Sequence, residues 1–246
     1  MILTSYEFTA PGGRMKNDDS VASCQREGAY CFTLCDGLGG HMGGEVASKC
    51  VCDTMERSFL EMDVTLPLEQ RLKQGIVESQ AALIALQAAQ GAYTGLRTTL
   101  CCLMLDEEAA AAAYVGDSRI YQFRNGRILG HTNDHSVSQR LANIGEIRQQ
   151  DVRRHEDRNL LLRCMGQPWE TPQFEMWQGL APVQSGDAFL LCSDGLWEWV
   201  EDVEMEGDLA AANSPREWIE AMCRRVEALS GQTRLDNYSA IGIWIG

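Results

Sequence analysis

TTLCCLMLDEEAAAAAYVGDSRIYQFRNGRIL, residues Thr98 to Leu129, reads as a meander of four short strands. Thr98–Leu105, Ala110–Val115, Arg119–Arg124 and Arg127–Leu129 are apolar or alternating, and each is bounded by residues that favour turns. The breaks fall at Asp106-Glu107-Glu108, Gly116-Asp117 and Asn125-Gly126. The last is a strong hairpin signal, because both residues of a tight hairpin turn take positive φ and Asn and Gly tolerate it. Upstream, Leu68–Gln90 is rich in Ala, Leu and Gln and predicts a helix, as does Gly44–Phe59, with Val46, Ala47, Cys50, Val51, Thr54 and Met55 on one face. Ala29–Cys35 is a buried strand running into Asp36-Gly37-Leu38-Gly39-Gly40, read as a turn, and Ile2–Thr9 alternates as a strand should.

Downstream, His135–Ile144 predicts a short helix stopped by Gly145, and Ala188–Cys192 a buried strand ending at Ser193-Asp194-Gly195. Pro215–Leu229 is an amphipathic helix and Tyr238–Ile245 a closing strand. Strands and helices come in runs rather than in strict alternation. That indicates an α+β fold with antiparallel sheets. With six prolines, no repeat and no Pro/Ser-rich linker, residues 1–246 are expected to form one domain.

The composition excludes several classes. With 35 acidic against 21 basic residues, the net charge of -14 repels phosphate backbones, so no nucleic-acid partner is expected. No apolar run approaches the roughly 18 residues that span a bilayer, and the first ten residues lack a signal-peptide pattern. The ten cysteines form no Cys-x-x-Cys pair and most lie in apolar stretches, which suits packing in a reducing compartment. A cytoplasmic protein with no membrane partner is expected. The surplus acid is mostly a solvated surface, unless some of it is gathered around divalent cations.

One arrangement recurs. Leu34-Cys35-Asp36-Gly37, Tyr114-Val115-Gly116-Asp117 and Leu191-Cys192-Ser193-Asp194-Gly195 each end an apolar strand in an aspartate beside small residues, and Asp236 precedes the last strand. A single Asp-Gly is most often a turn. Several at strand ends would bring carboxylates together at the mouth of a sheet packing, where mutual repulsion requires protons or cations. All-oxygen ligation selects hard ions such as Mg2+ or Mn2+ rather than zinc.

The chain resembles the protein phosphatase 2C family in its short bacterial form. The motifs, in family order, are Gly13-Arg14-x-x-Asn17-Asp18-Asp19-Ser20, Asp36-Gly37-Leu38-Gly39-Gly40-His41 with Gly44-Glu45-x-Ala47-Ser48, and Thr98-Thr99. Gly116-Asp117-Ser118-Arg119-x-Tyr121, Thr132-x-Asp134-His135-Ser136 and Asn159-Leu160-x-x-Arg163-x-x-Gly166 follow. Leu191-x-Ser193-Asp194-Gly195-Leu196-Trp197 and Asp236-Asn237 complete the set. The resemblance implies a four-layer α-β-β-α sandwich, two antiparallel sheets flanked by helices. It implies a metal-dependent protein serine/threonine phosphatase with two Mn2+ or Mg2+ ions, and often a third. Asp36 would bridge two ions, with the Gly37 carbonyl on one and Asp194 and Asp236 on the other; Asp18 would reach a metal through water. Asp117 and Asp194 match the third-ion positions, and Arg14 the arginine that grips the substrate phosphate. A metal-bridging water attacks phosphorus directly in this family, so Arg14 and Asp36 are the catalytic candidates and no phosphoenzyme is expected. The implied partners are phosphorylated proteins, among them a Ser/Thr kinase and its targets, and the chain is expected to be a monomer. Segment 136–158 matches a flap near the active site.

Three residues depart from the family pattern. Asp18 stands where glutamate is usual, Leu38 where animal members carry a histidine proposed as general acid, and Arg97 where glycine usually precedes the threonine pair. Other signals are weaker. His131 and His135 have zinc-helix spacing but lack the intervening glutamate, and the Gly39–Gly44 run is followed by no Gly-Lys-Ser/Thr, so neither a zincin nor a P-loop is expected. His135 reads as structural, His41 as a neighbour of the site, Cys35 and Cys192 as packing rather than nucleophiles, and Trp197 and Trp199 as core or core edge. A pseudophosphatase and a hydrolase of small phosphate esters stand as the competing functions.

Overall fold

Alternation within the apolar strands sorts their side chains onto two faces, and the two faces meet different partners. In strand β3 (Ala29–Leu38), Phe32 and Leu34 point one way and Cys31 and Cys35 the other. The computed structural model describes residues 2–38, 43–90, 95–229 and 235–246. The first sheet has the order β1 (Leu3–Ala10), β11 (Tyr238–Ile245), β10 (Asp187–Cys192), β7 (Arg119–Arg124), β8 (Arg127–His131). The second runs β2 (Asp19–Arg26), β3, β5 (Leu100–Leu105), β6 (Ala110–Val115), β9 (Glu175–Met176), with β4 (Arg97–Thr98) pairing the far end of β3. All pairings are antiparallel.

Between the sheets lies a largely apolar layer in which Phe32, Leu34 and Leu103 of one sheet meet Ile120, Phe189, Leu191, Ile241 and Ile243 of the other. Each of these side chains is essentially buried, and each such burial contributes about 1.5–3 kcal/mol. Helices α1 (Gly44–Glu61) and α2 (Leu68–Ala89) cover the second sheet through Ala47, Val51, Met55, Leu72, Ile76 and Leu83. On the first sheet, α4 (Asp194–Trp197), α5 (Asp202–Ala211) and α6 (Pro215–Ala228) bury Trp197, Met205, Trp218 and Met222. The four-layer α-β-β-α sandwich is therefore present.

Some local expectations fail, for physical reasons. The turn expected at Asp36–Gly40 does not begin at Asp36; β3 continues through Leu38 because Gly37 pairs with Thr98 and Leu38 with Arg97. Gly39, Gly40 and His41 lie outside the described residues. The strand expected from Thr98 is broken at Thr99, whose N–H donates to the Asp36 carbonyl at 2.8 Å. In α1 the buried stripe includes Ser48, Cys52, Ser58 and Phe59, while Val46 is exposed and Cys50 only half-buried. Strand β2 is unread in the sequence because it lies at a sheet edge, half polar. Helix α5 has only Met205 buried and so little apolar stripe to read.

The flap-like segment 136–158 is structured. It holds α3 (Val137–Asn143), capped by the Ser136 hydroxyl, which accepts from the Gln139 N–H, and a 3-10 turn at Gln149–Arg154. Arg153, Arg154 and Arg158 then reach across to the acidic run Glu198, Glu201 and Asp202 that follows α4.

Candidate active site

The acids collect at one seam of the sandwich because β2 and β3 of one sheet end there beside β10 and β11 of the other. Asp19 opens β2 and is the cross-strand partner of Asp36. From the opposite sheet, the hydroxyls of Ser193, after β10, and Ser239, in β11, donate to Asp19 Oδ2 at 2.9 and 2.7 Å. One carboxylate thus fastens the two sheets together. Its other oxygen, Oδ1, is buried without a partner. Burial, only partly offset by the two hydroxyls, pushes Asp19 up to about 6, with the Asp236 and Asp18 charges adding. Asp19, and not only the expected Asp18, therefore belongs to the site. The available signal was the Asn17-Asp18-Asp19 run itself, in which strand alternation turns only one acid inward.

Asp36 is held by its backbone. Its N–H donates to Thr99 Oγ1 at 2.9 Å, and its carbonyl accepts from Thr98 Oγ1 at 2.8 Å, which accounts for the threonine pair. Thr99 Oγ1 lies 2.7 Å from Ser118 Oγ, linking this strand end to the Asp117 turn. At Gly37 three backbone segments converge. Its N–H donates to the Asp18 carbonyl at 3.1 Å, and a Cβ there would strike the carbonyls of Asp18 and Gly44. Only glycine leaves this backbone approachable.

Gly116 adopts φ +104° against Thr99, and His135 holds the turn: its N–H donates to the Gly116 carbonyl at 2.8 Å, and its Nδ1 accepts from the Gly116 N–H at 3.1 Å. His135 has the structural part expected of it. Asp117, 5% exposed, follows directly, and its carbonyl accepts from Trp197 Nε1 at 2.9 Å. Asp194 opens α4. Burial raises Asp117 to about 7, with Asp134 and Glu198 adding to the shift. Asp36 and Asp194, half-buried, are both held well above the usual carboxylate range, first by desolvation and then by their neighbours. For Asp36 those neighbours are Asp19, Asp194, Asp117 and Asp236.

At the outer rim Arg14 Nη2 donates to Asp236 Oδ2 at 2.6 Å, both side chains being about half exposed. Asn237 staples the Arg14 loop: its Nδ2 donates to the Pro11 and Lys16 carbonyls at 2.9 and 2.8 Å, and its Oδ1 accepts from the Asp18 N–H at 2.8 Å. Nothing in the sequence announced Asn237 beyond its place after Asp236. Leu38 ends β3 half-buried and offers no proton. Arg97, beside it, keeps Nε buried and unpartnered. Cys35 and Cys192 are fully buried and burial pushes both thiols up, so neither is a nucleophile.

The donor set suits hard cations. It consists of carboxylates raised by burial and mutual repulsion, an orphaned buried oxygen at Asp19, and a bare carbonyl at Gly37. Among the described residues no three His, Cys, Asp or Glu side chains make a ready-made cage. The mouth is an open ring of acids beside the bare Gly37 carbonyl.

A model of the family described as protein phosphatase 2C matches residues 13–238. The chain belongs to the protein phosphatase 2C family. It is 28% identical to the serine/threonine phosphatase stp of Listeria monocytogenes over 235 residues, covering 93% of this chain and 92% of that protein. It is 31% identical over 192 residues to the serine/threonine protein phosphatase PstP of Mycobacterium tuberculosis, covering 77% of this chain and 35% of that longer protein. The crystal structure of the M. tuberculosis phosphatase PstP/Ppp superposes with a TM-score of 0.86 at 26% identity, covering 100% of this chain and 99% of the other. A structure of the catalytic domain of PstP in complex with two manganese ions gives a TM-score of 0.83 at 25% identity, covering 99% of each chain. As a protein phosphatase 2C, the chain brings the motif residues Asp19, Asp36, Asp117, Asp194 and Asp236 to the seam just described.

Proposed function

We propose that this protein hydrolyses phosphoserine and phosphothreonine in proteins with the aid of two Mn2+ or Mg2+ ions held at the seam. The observation that carries the reading is the gathering of Asp19, Asp36, Asp117, Asp194 and Asp236 around one opening between the sheets. Asp36, the Gly37 carbonyl, Asp194 and Asp236 would hold the two ions, with Asp18 acting through water and Asp117 with Asp194 serving a third. When bound, such ions supply a nucleophilic water at neutral pH and neutralise charge on the phosphate. Arg14 then turns from Asp236 to grip the phosphate oxygens, its guanidinium matching their spacing. The Thr98–Thr99 clamp fixes Asp36 so that no reorganisation is needed during reaction, which is where preorganised electrostatics gain their advantage. No cysteine takes part.

Residues 1–246 are read as one catalytic domain, monomeric and cytoplasmic, acting on a bacterial Ser/Thr kinase and its targets. Support comes from the bacterial relatives, the ten unpaired cysteines, and the lack, among the described residues, of any helix long and apolar enough to cross a membrane. The test is phosphate release from a phosphothreonine peptide with Mn2+, with Mg2+ and with excess chelator. Turnover that needs the ion supports the reading. Folded protein inert with every divalent ion sinks it in favour of a binding-only module.

A further inference from the structure

Arg97 stands where the family pattern has glycine, and its charge meets no counter-charge in the fold. It is the cross-strand partner of Leu38, as Thr98 is of Gly37. Side chains alternate along a strand, so Leu38 projects from the same face of β3 as Asp36, and Arg97, opposite Leu38, projects from that face too. Diagonal neighbours of this kind stand about 7–8 Å apart, within the reach of an arginine. The Cys164 thiol, pushed up to about 11 chiefly by burial, feels the charges of both Arg97 and Asp117, so the guanidinium lies in the field of the acids at the mouth. Yet Arg97 pairs with none of them. Arg14, Arg158 and Arg163 each hold a carboxylate, on Asp236, Glu198 and Glu175. Among the described residues the Arg97 side chain has no ion pair or hydrogen bond, and its Nε is buried without a partner. Residues 39–42, 91–94 and 230–234 contain no Asp or Glu that could serve. A half-buried guanidinium, in a protein of net charge -14, is thus left open to an anion from outside.

We propose that Arg97 is a specificity residue that binds an acidic side chain flanking the phosphorylated residue of the substrate. This rests on the phosphatase reading above and names a class of substrate, the acidic phosphopeptide, for that same site. The Arg14 loop leads into β2 on one side of β3, and Arg97 sits in β4 on the other side. The two arginines therefore flank Asp36 from opposite directions. A phosphopeptide with its phosphate at Asp36 and Arg14 can carry its neighbouring residues past Leu38 to Arg97. A guanidinium matches a carboxylate there with two parallel hydrogen bonds, and the half-buried Leu38 opposite it shields the pair from water. Arg97 does not stand in for a general acid, because a guanidinium keeps its proton at any working pH.

The test measures kcat/KM with Mn2+ for three phosphothreonine peptides of equal length, flanked by Ala, by Asp or by Lys, in the wild type, Arg97→Gly and Arg97→Lys. The wild type is expected to prefer the Asp-flanked peptide over the Ala-flanked one by about tenfold, mostly through KM, as one charge-assisted contact supplies. Arg97→Gly is expected to bring that ratio close to one and to raise the relative rate on the Lys-flanked peptide, while Arg97→Lys keeps part of the preference. An arginine with a merely structural part would, when lost, lower all three peptides by one factor and leave their ratios standing. The wild type also decides alone, without any variant that must fold: raising salt from about 0.05 to about 0.5 M should shrink the Asp preference, since a partly exposed ion pair is screened. A wild type without the preference, a preference indifferent to salt, or an Arg97→Gly variant that retains it overturns the role of Arg97 and leaves the phosphatase reading intact. A folded wild type that turns over none of the three peptides overturns that reading, and this inference with it.

Discussion

The two rims of the acidic mouth are held by different chemistry. On the Asp19–Asp236 side, uncharged donors do most of the fastening, two serine hydroxyls on Asp19 and the Asn237 amide on the Arg14 loop, with one exposed ion pair, Arg14–Asp236, at the edge. On the Asp117–Asp194 side, the flap is fastened by arginine–carboxylate pairs at Glu198, Glu201 and Asp202. Neutral hydrogen bonds are short-ranged and indifferent to salt, whereas partly exposed ion pairs respond to ionic strength and to any new charge nearby. The first rim is suited to hold a fixed pair of ions, the second to respond to its surroundings.

The most severe way to break the contrast is at Asp36, which both rims share. Asp36→Asn is expected to lower kcat by about 10^3-fold or more, several kcal/mol of transition-state stabilisation, with the fold intact by circular dichroism. A folded variant turning over at the wild-type rate would remove Asp36 from the mechanism.

Next comes the pH dependence of the ion-free protein. Asp19 and Asp117 are raised to about 6 and about 7 from an ordinary 3.8, so the folded state holds their protons more tightly than the unfolded state does. Stability is then greatest below the unfolded value and is lost as pH rises through the folded values. In chelator, the melting temperature should fall by several degrees between about pH 4 and about pH 8, and Mn2+ should restore it only at the upper end. A melting temperature that rises over that interval would contradict the crowding of the acids.

A smaller effect sharpens the first rim alone. Asn237→Ala removes three hydrogen bonds that shape the Arg14 loop and should raise KM for a phosphopeptide by about tenfold, with kcat changed less, as expected for a loss of roughly 1–2 kcal/mol of positioning. If kcat alone falls, Asn237 serves the ions rather than the phosphate. Least of all, raising salt to about 1 M should speed hydrogen exchange in the 3-10 turn Gln149–Arg154 by a few-fold, leaving the amides of Asp18 and Gly37, which are held by uncharged acceptors, unchanged. Equal responses would erase the distinction between the rims.

What could be read from the sequence follows from locality. Asp36, Asp117 and Asp194 were legible because each closes an apolar run and the turn residues sit beside it. The closing strand Tyr238–Ile245 was legible to the residue, since Ile241, Ile243 and Ile245 fall at every second position. Asp19 was not, because its value comes from its register opposite Asp36 and from two serines more than 170 positions away. The Arg158–Glu198 pair spans forty residues and leaves no periodic trace. The continuation of β3 through Gly37 is likewise a tertiary effect, imposed by β4 on residues whose own preference is to turn.

Trp197 sits where the Asp117 turn meets the flap. Its indole nitrogen is bonded to the Asp117 carbonyl, the Arg119 guanidinium lies 3.5 Å over its ring, and that of Arg153, from the flap, lies 5.7 Å away. Its emission depends on the charges around it, so a cation bound beside Asp117 or a movement of Arg153 would change it. Trp197 is thus placed as an optical reporter among the six tryptophans of the chain, and comparing the wild type with Trp197→Phe by stopped-flow fluorescence isolates its signal.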